Sequence, residues 1–351
     1  MTNSKPSPSN SCRHGGCTLT GALSATTHVR DAVTIIHGPK GCAHHNFSLL
    51  HATGFDNDRM VIPDLVSTGL DSTDIVFGGE PALAGTIRSV ARRGPGAIFV
   101  LSACVIDTIG DDVVSVCGEE YGIPVIPVPT AGFLGGTFQE GLNNALCAIA
   151  GSADPLPVMS RPEGTGVNII GEKNLEYEVD ENYAEVERLL SLLGIPVNVR
   201  LVRNCEMADL PRIGSARLNI LRDSELLPTG SFLRHRFGTP YLSSFPTGFA
   251  GTIRFLDAVG RLYGVDSAPV IASEKARQEK TLAEFNDIAG GRVLFEPGAS
   301  PESLELAGEI AGRLSLRIGT GGCTVPLPFS PPIGSVGIRR LLHRWRCAIH
   351  A

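Results

Sequence analysis

The sequence predicts an α/β protein built on parallel β-sheets, and three observations support this prediction. Short apolar runs rich in Val and Ile recur along the chain, and most are followed by a stretch of helical character. Strands that alternate with helices favour parallel sheets with right-handed crossovers. The 41 glycines and 24 prolines are spread among these segments, as expected of tight loops rather than of low-complexity sequence.

The first half of the chain carries three strand–loop–helix units. Each predicted strand is short and apolar, and each ends in a loop that contains glycine or cysteine. A helical stretch at residues 18–28 comes before them. The predicted strands are 32–36, 97–101 and 124–128, and the predicted helices are 81–92, 111–121 and 138–150.

The second half repeats the pattern after a Gly-, Pro- and Ser-rich linker at residues 151–164. Strands are predicted at 167–170, 197–202, 217–221 and 292–295, and helices at 182–193, 251–263, 274–288 and 301–314. We expect a flexible N-terminal tail at 1–11 and domains at 12–160, 161–270 and 271–351. The third domain is reduced and ends in a basic C-terminal helix.

Composition excludes several classes of protein. The net charge of −6 gives no electrostatic footprint for nucleic acid, and the longest apolar runs are far too short to span a membrane. No signal peptide is visible, so we expect a cytoplasmic location. The nine cysteines form an odd set in a chain without an export signal, which argues against a disulfide framework.

Three cysteines fall where a parallel sheet presents functional residues. Cys42 and Cys104 follow apolar strands, so both are expected at the carboxyl edge of the sheet, and a loop at Cys17 could reach that edge. Three thiolates from three loops suit an iron–sulfur cluster. Zinc sites usually contain CxxC pairs, and the sequence has none. Buried free cysteines are the alternative, and we expect this for Cys117 and Cys147.

These cysteine segments resemble those of the nitrogenase component 1 family, the MoFe-type (NifD-like) oxidoreductases. The matching segments are CTLTGA at 17–22, HGPKGC at 37–42 and CxxxxxGDD at 104–112. Further matches are Gly132-Phe133 with Gly135 and Gly141, VNIIGEKN at 167–174 and PTGFAGTIRF at 246–255. The resemblance runs in order from about residue 12 to 265. It implies Rossmann-like domains and identifies Cys17, Cys42 and Cys104 as cluster ligands.

The resemblance also implies an iron–sulfur reductase component. Electrons would come from a separate ATP-hydrolysing NifH-like iron–sulfur reductase, because this chain has no GxxxxGK[ST] loop of its own. The electrons would pass to a small-molecule substrate. In the family the cluster lies at a subunit interface, which implies a homodimer or a heterodimer with a sister component 1 chain.

Several ligand and proton-donor assignments stay open. A [4Fe–4S] cluster needs a fourth ligand, which is either Cys12 or a residue of a second subunit, and the other interpretation of Cys12 is a thiol in a flexible tail. Two cysteine triads facing each other could instead hold one larger cluster. His44 and His45 follow Cys42 and are candidate proton donors, with a solvated or packed histidine pair as the alternative.

Two departures separate the chain from nitrogenase itself. Residues 217–223 resemble the segment in which a nitrogenase cysteine holds the large metal cofactor, but Arg222 and Asp223 stand at that point. The chain is also much shorter, mainly in the third domain. Both features resemble the tetrapyrrole-reducing branch, above all the nickel-sirohydrochlorin a,c-diamide reductive cyclase of coenzyme F430 biosynthesis. We therefore expect a tetrapyrrole reductase subunit. The alternatives are a scaffold for metal-cluster or cofactor assembly and a reductase of another small molecule.

Overall fold

The computed structural model describes residues 16–57, 62–153, 166–176 and 178–351, and it is an α/β structure with three parallel sheets. The predicted tail at 1–11 and Cys12 lie outside the described residues. The described chain forms two compact units. Within the described residues, the larger one draws on 16–57, 62–153, 166–176, 178–179 and 197–243, and the smaller one on 180–196 and 244–351.

The larger unit begins with a four-stranded sheet and its helices. The elements in chain order are α1 (Thr18–Thr26), β1 (Ala32–His37), α2 (Lys40–Asp56), β2 (Leu65–Ser67), α3 (Ser72–Phe77), α4 (Glu80–Ala91), β3 (Ala97–Ser102), α5 (Cys104–Ile109), α6 (Val113–Cys117), β4 (Val125–Val128) and α7 (Phe138–Gly151). The strand order is β2-β1-β3-β4, all parallel. The central strands β1 and β3 are almost wholly buried, which explains their unbroken apolar sequence.

A second parallel sheet follows, with the strand order β6-β5-β7-β8. Its elements are β5 (Val167–Ile170), β6 (Val197–Leu201), β7 (Leu218–Leu221), α9 (Leu227–Phe237) and β8 (Tyr241–Leu242), with 3-10 helices at Met207–Ser215 and Ser224–Leu226. Helix α8 (Val179–Leu192) lies between β5 and β6 in the chain, and all but its first residue belongs to the smaller unit. Asn198 donates to the side-chain oxygen of Asn168, and Asn168 donates to that of Asn219, each at 2.8 Å. A one-residue slip would separate these amides, so they fix the register of three strands.

Helices α1 and α7 touch through their backbones. A Cβ atom on Gly21 would lie 1.8 Å from the carbonyl oxygen of Phe138, and one on Gly141 would lie 1.9 Å from that of Thr18. All nine residues of α1 are buried. The close approach therefore fixes the start of α1, and with it the preceding residue, Cys17.

The smaller unit contains the third sheet, with the order β10-β9-β11. Its further elements are α10 (Gly248–Tyr263), α11 (Ala268–Ala283), a 3-10 helix (Asn286–Ile288), β9 (Arg292–Phe295), α12 (Pro301–Arg313), β10 (Arg317–Ile318), β11 (Cys323–Val325) and α13 (Gly334–His350). Helix α13 is the predicted basic C-terminal helix. Its Trp345 is fully buried and donates its indole N–H to the carbonyl of Pro326 at 2.9 Å, so the helix is part of the core rather than a surface appendage.

The structure differs from the predicted elements in several places, of which three have a clear physical reason. The predicted helix 111–121 is only α6, because Gly118 ends it after five residues. Helix α2 was not predicted, and it makes the residues after Pro39 helical. Helix α11 begins six residues before the predicted start because Pro269 occupies its first turn, a favoured position for proline. In the part of the chain described, no helix has both the length and the apolar character needed to cross a membrane.

Candidate functional site

The three predicted ligand cysteines lie at the starts of three helices. Cys17 directly precedes α1, Cys42 lies in the first turn of α2, and Cys104 is the first residue of α5. All three are half-buried. His37 at the end of β1 pairs with Ser102 at the end of β3, so the chain leaves both strands side by side. This brings the Cys42 and Cys104 segments to the same edge of the sheet.

Gly132 joins the Cys17 and Cys104 segments. The backbone N–H of Thr18, next to Cys17, donates to the carbonyl of Gly132 at 3.3 Å, and the Thr18 hydroxyl lies 2.6 Å from the same oxygen. On its other side, a Cβ atom at Gly132 would lie 2.9 Å from the Sγ atom of Cys104. Gly132 also has a φ of +55°, which favours glycine. The glycine therefore leaves room for the Cys104 thiol.

The thiols of the three cysteines are close enough to influence one another electrostatically. Burial raises the pKa of Cys42, and the negative charges that Cys104 and Cys17 would carry raise this pKa further. Both effects disfavour the ionised form of the Cys42 thiol in the metal-free site. Metal ligation requires deprotonated thiols. The positive charge of a bound metal would offset the repulsion between the resulting thiolates.

The three thiols do not form a site for a single metal ion in this structure. Within the described residues, no three His, Cys, Asp or Glu side chains are grouped closely enough to hold one ion. A tetrahedral zinc ion with Zn–S distances of about 2.3 Å would hold its sulfurs roughly 4 Å apart. In a [4Fe–4S] cluster each cysteine binds a different iron, so the ligand sulfurs lie farther apart than those of one zinc ion. Three thiols from three neighbouring segments are the ligand type that iron–sulfur clusters use.

The other predicted site residues have different surroundings. His44 and His45 lie on α2 and are exposed, so no packing fixes them as proton donors. Cys12 lies outside the described residues. Cys117 and Cys205 are buried, and burial raises the pKa of each thiol to about 12, as expected of inert core cysteines.

One polar pair beside the cysteines was missed from the sequence. The imidazole of His37 is completely buried, and its Nε2 atom lies 3.0 Å from a carboxylate oxygen of Asp111. Its Nδ1 atom lies 3.2 Å from the hydroxyl of Thr68. Desolvation lowers the pKa of His37, although the hydrogen bond to Asp111 opposes the shift. The sequence signal was the polar His37 at the end of an apolar strand.

Buried ion pairs close the carboxyl edge of the second sheet. Lys173, after β5, lies 3.3 Å from the carboxylate of Asp223, after β7. Arg200 of β6 forms a two-point contact with Glu172, with one N–O distance of 2.8 Å. Arg222 is also buried. Charged side chains thus fill the edge where open α/β sheets commonly bind ligands.

A cavity of about 430 Å³ lies in the larger unit, and its size suits a small organic molecule. Arg203 and Asn174 form part of its wall, and the Arg203 guanidinium lies 3.3 Å from the Asn174 side-chain oxygen. Both residues follow strands of the second sheet. None of the three candidate ligand cysteines lines the cavity.

Comparison with known proteins places this chain in a family. The family model for nitrogenase component 1 type oxidoreductases matches residues 17–295. The nitrogenase iron-molybdenum cofactor biosynthesis protein NifE of Clostridium pasteurianum is 28% identical over 307 residues, which cover 84% of this chain and 65% of the relative. The nitrogenase molybdenum-iron protein alpha chain of Methanococcus maripaludis is 25% identical over 328 residues, which cover 86% of this chain and 67% of the relative. The chain thus spans about two thirds of these relatives.

Solved structures agree on the fold. The structure titled "Nitrogenase Cp1 at pH 5" superposes with a TM-score of 0.66 at 22% identity, covering 87% of this chain and 63% of the other. A second, at pH 6.5, gives a TM-score of 0.68 at 21% identity. The predicted nitrogenase component 1-like fold is confirmed. From the family match and the shared fold, we conclude that this chain belongs to the nitrogenase component 1 type oxidoreductases.

Proposed function

We propose that this chain holds an iron–sulfur cluster on Cys17, Cys42 and Cys104. The observation that carries the proposal is the convergence of the three cysteine segments, with Gly132 in contact with two of them. The three thiols are ligands that iron–sulfur clusters prefer, and each is accessible enough to be loaded. A cluster bound there would accept and pass on single electrons.

We propose a scaffold for metal-cofactor assembly as the role of this chain. Support comes from relatives named as NifE cofactor biosynthesis proteins, which are 28–29% identical over more than four fifths of this chain. A scaffold needs cysteines that can be loaded and unloaded, and half-buried thiols meet that need better than fully buried ones. The metal cluster under assembly is then the cargo of the protein.

A second candidate is a reductase of a conjugated small molecule, such as a tetrapyrrole of the nickel-sirohydrochlorin a,c-diamide type. The ion pair of Lys173 and Asp223 favours it, because charged groups occupy the edge where a scaffold would anchor a large cofactor. In this case electrons would come from a NifH-like ATP-dependent reductase. The exposed His44 and His45 stay candidate proton donors for that reaction.

We propose that a second chain completes the site. Phe133 and Leu134 directly follow Gly132 and are 74% and 68% exposed, which places an apolar surface beside the cysteines. Phe77, at the end of α3, is 83% exposed, and α3 packs against α5, which begins at Cys104. An apolar surface of this kind fits a partner protein. The partner, an identical or a sister chain, would supply the fourth ligand of a [4Fe–4S] cluster or share a larger one; Cys12 is the other candidate ligand.

The first experiment measures iron and acid-labile sulfide per chain after anoxic purification, with EPR of the dithionite-reduced protein. Alanine variants of Cys17, Cys42 and Cys104 are expected to lose most of the iron. A Cys347→Ala variant is the control, because Cys347 is exposed on α13 in the smaller unit. Variants that keep their iron would contradict the ligand assignment.

A second experiment separates the two roles. The loaded protein is mixed either with an acceptor protein that lacks its metal cofactor or with a NifH-like reductase, ATP and a tetrapyrrole. Transfer of iron to the acceptor without turnover supports the scaffold. ATP-dependent reduction of the tetrapyrrole supports the reductase and contradicts the scaffold role.

The division into domains at 12–160, 161–270 and 271–351 also remains a proposal. Limited proteolysis with mass spectrometry tests it. Early cleavage near residues 160 and 270 is expected if those boundaries are the most accessible parts of the chain.

A further inference from the structure

A buried histidine–aspartate pair lies directly behind the cysteine segments. His37 ends β1, five residues before Cys42, and Asp111 follows α5, which begins at Cys104. The two side chains are 0% and 4% exposed, and the distance from Nε2 of His37 to the Asp111 carboxylate is 3.0 Å. The pair therefore joins the segment that carries one candidate ligand to the segment that carries another.

The hydrogen bonds of this pair are complete. Because a carboxylate only accepts, Nε2 of His37 donates to Asp111, and Nδ1 then accepts from the Thr68 hydroxyl at 3.2 Å. The Thr68 hydroxyl oxygen also accepts from the backbone N–H of Gly38 at 3.0 Å. Both oxygens of Asp111 accept from the backbone N–H of Gly79, at 3.1 and 3.0 Å. The imidazole is thus held at both nitrogens.

Two backbone connections link the histidine–aspartate pair to the cysteine segments. The carbonyl of His37 accepts from the N–H of Ala103 at 2.9 Å, and Ala103 directly precedes Cys104. Gly38, which Thr68 holds, begins the short segment that leads to Cys42. A movement of β1 relative to α5 would break a buried hydrogen bond, and buried polar groups without partners are strongly disfavoured.

We propose that His37 and Asp111 are a positioning pair that sets the separation of Cys42 and Cys104. The inference rests on the proposed cluster site, because only a site that uses both thiols needs their separation to be fixed. Neither residue is proposed to touch the cluster. Their role is to hold two strand-to-helix connections in one arrangement before any metal binds.

The test measures thiol separation in the metal-free chain. The metal-free protein is treated with a short bifunctional maleimide, and the Cys42–Cys104 cross-linked peptide is quantified by mass spectrometry against the doubly alkylated peptides. We expect Asp111→Ala to reduce the cross-linked fraction at least five-fold. Asp111→Asn is expected to stay within two-fold of wild type, because an amide can donate to Nε2 while its oxygen accepts from Gly79.

Controls separate positioning from stability. Asp64→Ala removes an exposed carboxylate that pairs with Arg93 in the same unit and should leave the cross-linked fraction unchanged. Far-UV circular dichroism confirms that each variant is folded. If Asp111→Ala does not fold, Thr68→Val removes the contact to Nδ1 of His37 together with the hydrogen bonds between Thr68 and Gly38, and it is expected to lower the cross-linked fraction about two-fold.

The outcomes are distinct from those of the proposed function. A folded Asp111→Ala variant with wild-type cross-linking, or a wild-type chain that forms no Cys42–Cys104 cross-link, overturns the positioning role. A folded Thr68→Val variant with wild-type cross-linking also counts against it. If the chain binds no iron but Asp111→Ala still lowers the cross-linked fraction five-fold, the positioning role stands and the proposed cluster is contradicted. In iron-loaded protein, Asp111→Ala should also shift the EPR g-values at unchanged iron content.

Discussion

The ammonium group of Lys173 lies 3.3 Å from the carboxylate of Asp223, and both side chains are about four fifths buried. The two residues follow the adjacent parallel strands β5 and β7. Lys173 also lies 4.0 Å from Glu176. The ion pair therefore connects the ends of β5 and β7 at the edge of the second sheet where open α/β sheets commonly bind ligands.

We expect Asp223→Asn to lower the free energy of unfolding by about 1–2 kcal/mol, between the values for exposed and for buried ion pairs. Urea denaturation measures the change. The matched control is Glu119→Gln, because Glu119 forms an exposed pair with Arg88 at 2.9 Å and should cost no more than about 0.5 kcal/mol. Equal effects of the two substitutions would show that the Lys173 pair is no stronger than a surface contact.

Gly132→Ala should disturb the proposed cluster site directly. The new Cβ atom would lie 2.9 Å from Sγ of Cys104, so this thiol must move. We expect a substantial loss of bound iron in addition to a cost of about 1–2 kcal/mol for the left-handed backbone.

The control for this substitution is Gly94→Ala. Gly94 has a similar positive φ of +71° but no atom within 4 Å of the added Cβ, so it reports backbone strain alone. Iron analysis and urea denaturation are compared for both variants. An unchanged iron content in Gly132→Ala would mean that Cys104 is not held where a ligand must be.

Two helical glycines should respond to alanine with opposite signs. Gly21→Ala places a Cβ atom 1.8 Å from the carbonyl oxygen of Phe138, so α1 and α7 must separate. We expect the free energy of unfolding to fall by about 3 kcal/mol or more. Gly85 in α4 is exposed and has open space around the added atom, so Gly85→Ala should add about 0.5–1 kcal/mol through helix propensity. Denaturant midpoints of both variants test the contrast, and a stabilising Gly21→Ala would contradict the close packing.

Thiol reactivity in the metal-free protein should follow burial. The pKa of Cys117 and of Cys205 is raised to about 12 by burial, so at pH 8 only about one in ten thousand of these thiols is ionised. Cys347 is exposed and should react first with iodoacetamide. Mass spectrometry of samples quenched over time gives the order. Rapid labelling of Cys117 or Cys205 would show that the core opens locally.

The sequence allowed the sheets to be predicted because their signal is local. The runs at β1, β3 and β5 are apolar and β-branched, and their ends place Cys42 and Cys104 at one edge. Helix α2 has no such signal, since its residues lack regular apolar spacing and tertiary contacts decide its conformation.

The buried pairs were beyond sequence analysis for a different reason. His37 and Asp111 are 74 residues apart, and Lys173 and Asp223 are 50 apart, so only the folded chain brings them together. Both residues stand in the segments that carry the family resemblance, but nothing in those segments shows that the two side chains meet. The preference for a tetrapyrrole reductase rested on the absence of one cysteine and on chain length, whereas several of the most similar relatives are cofactor biosynthesis proteins.

The exposed side chains of Phe133 and Leu134 also determine how the chain behaves when it is produced alone. Each keeps more than two thirds of its surface in water, and they are neighbours in a loop that starts with a left-handed glycine. At high concentration such a surface promotes self-association and loss of soluble material. If a second chain covers this loop as proposed, yield and colloidal stability should improve when the two chains are co-expressed, which makes solubility a practical assay for that partner.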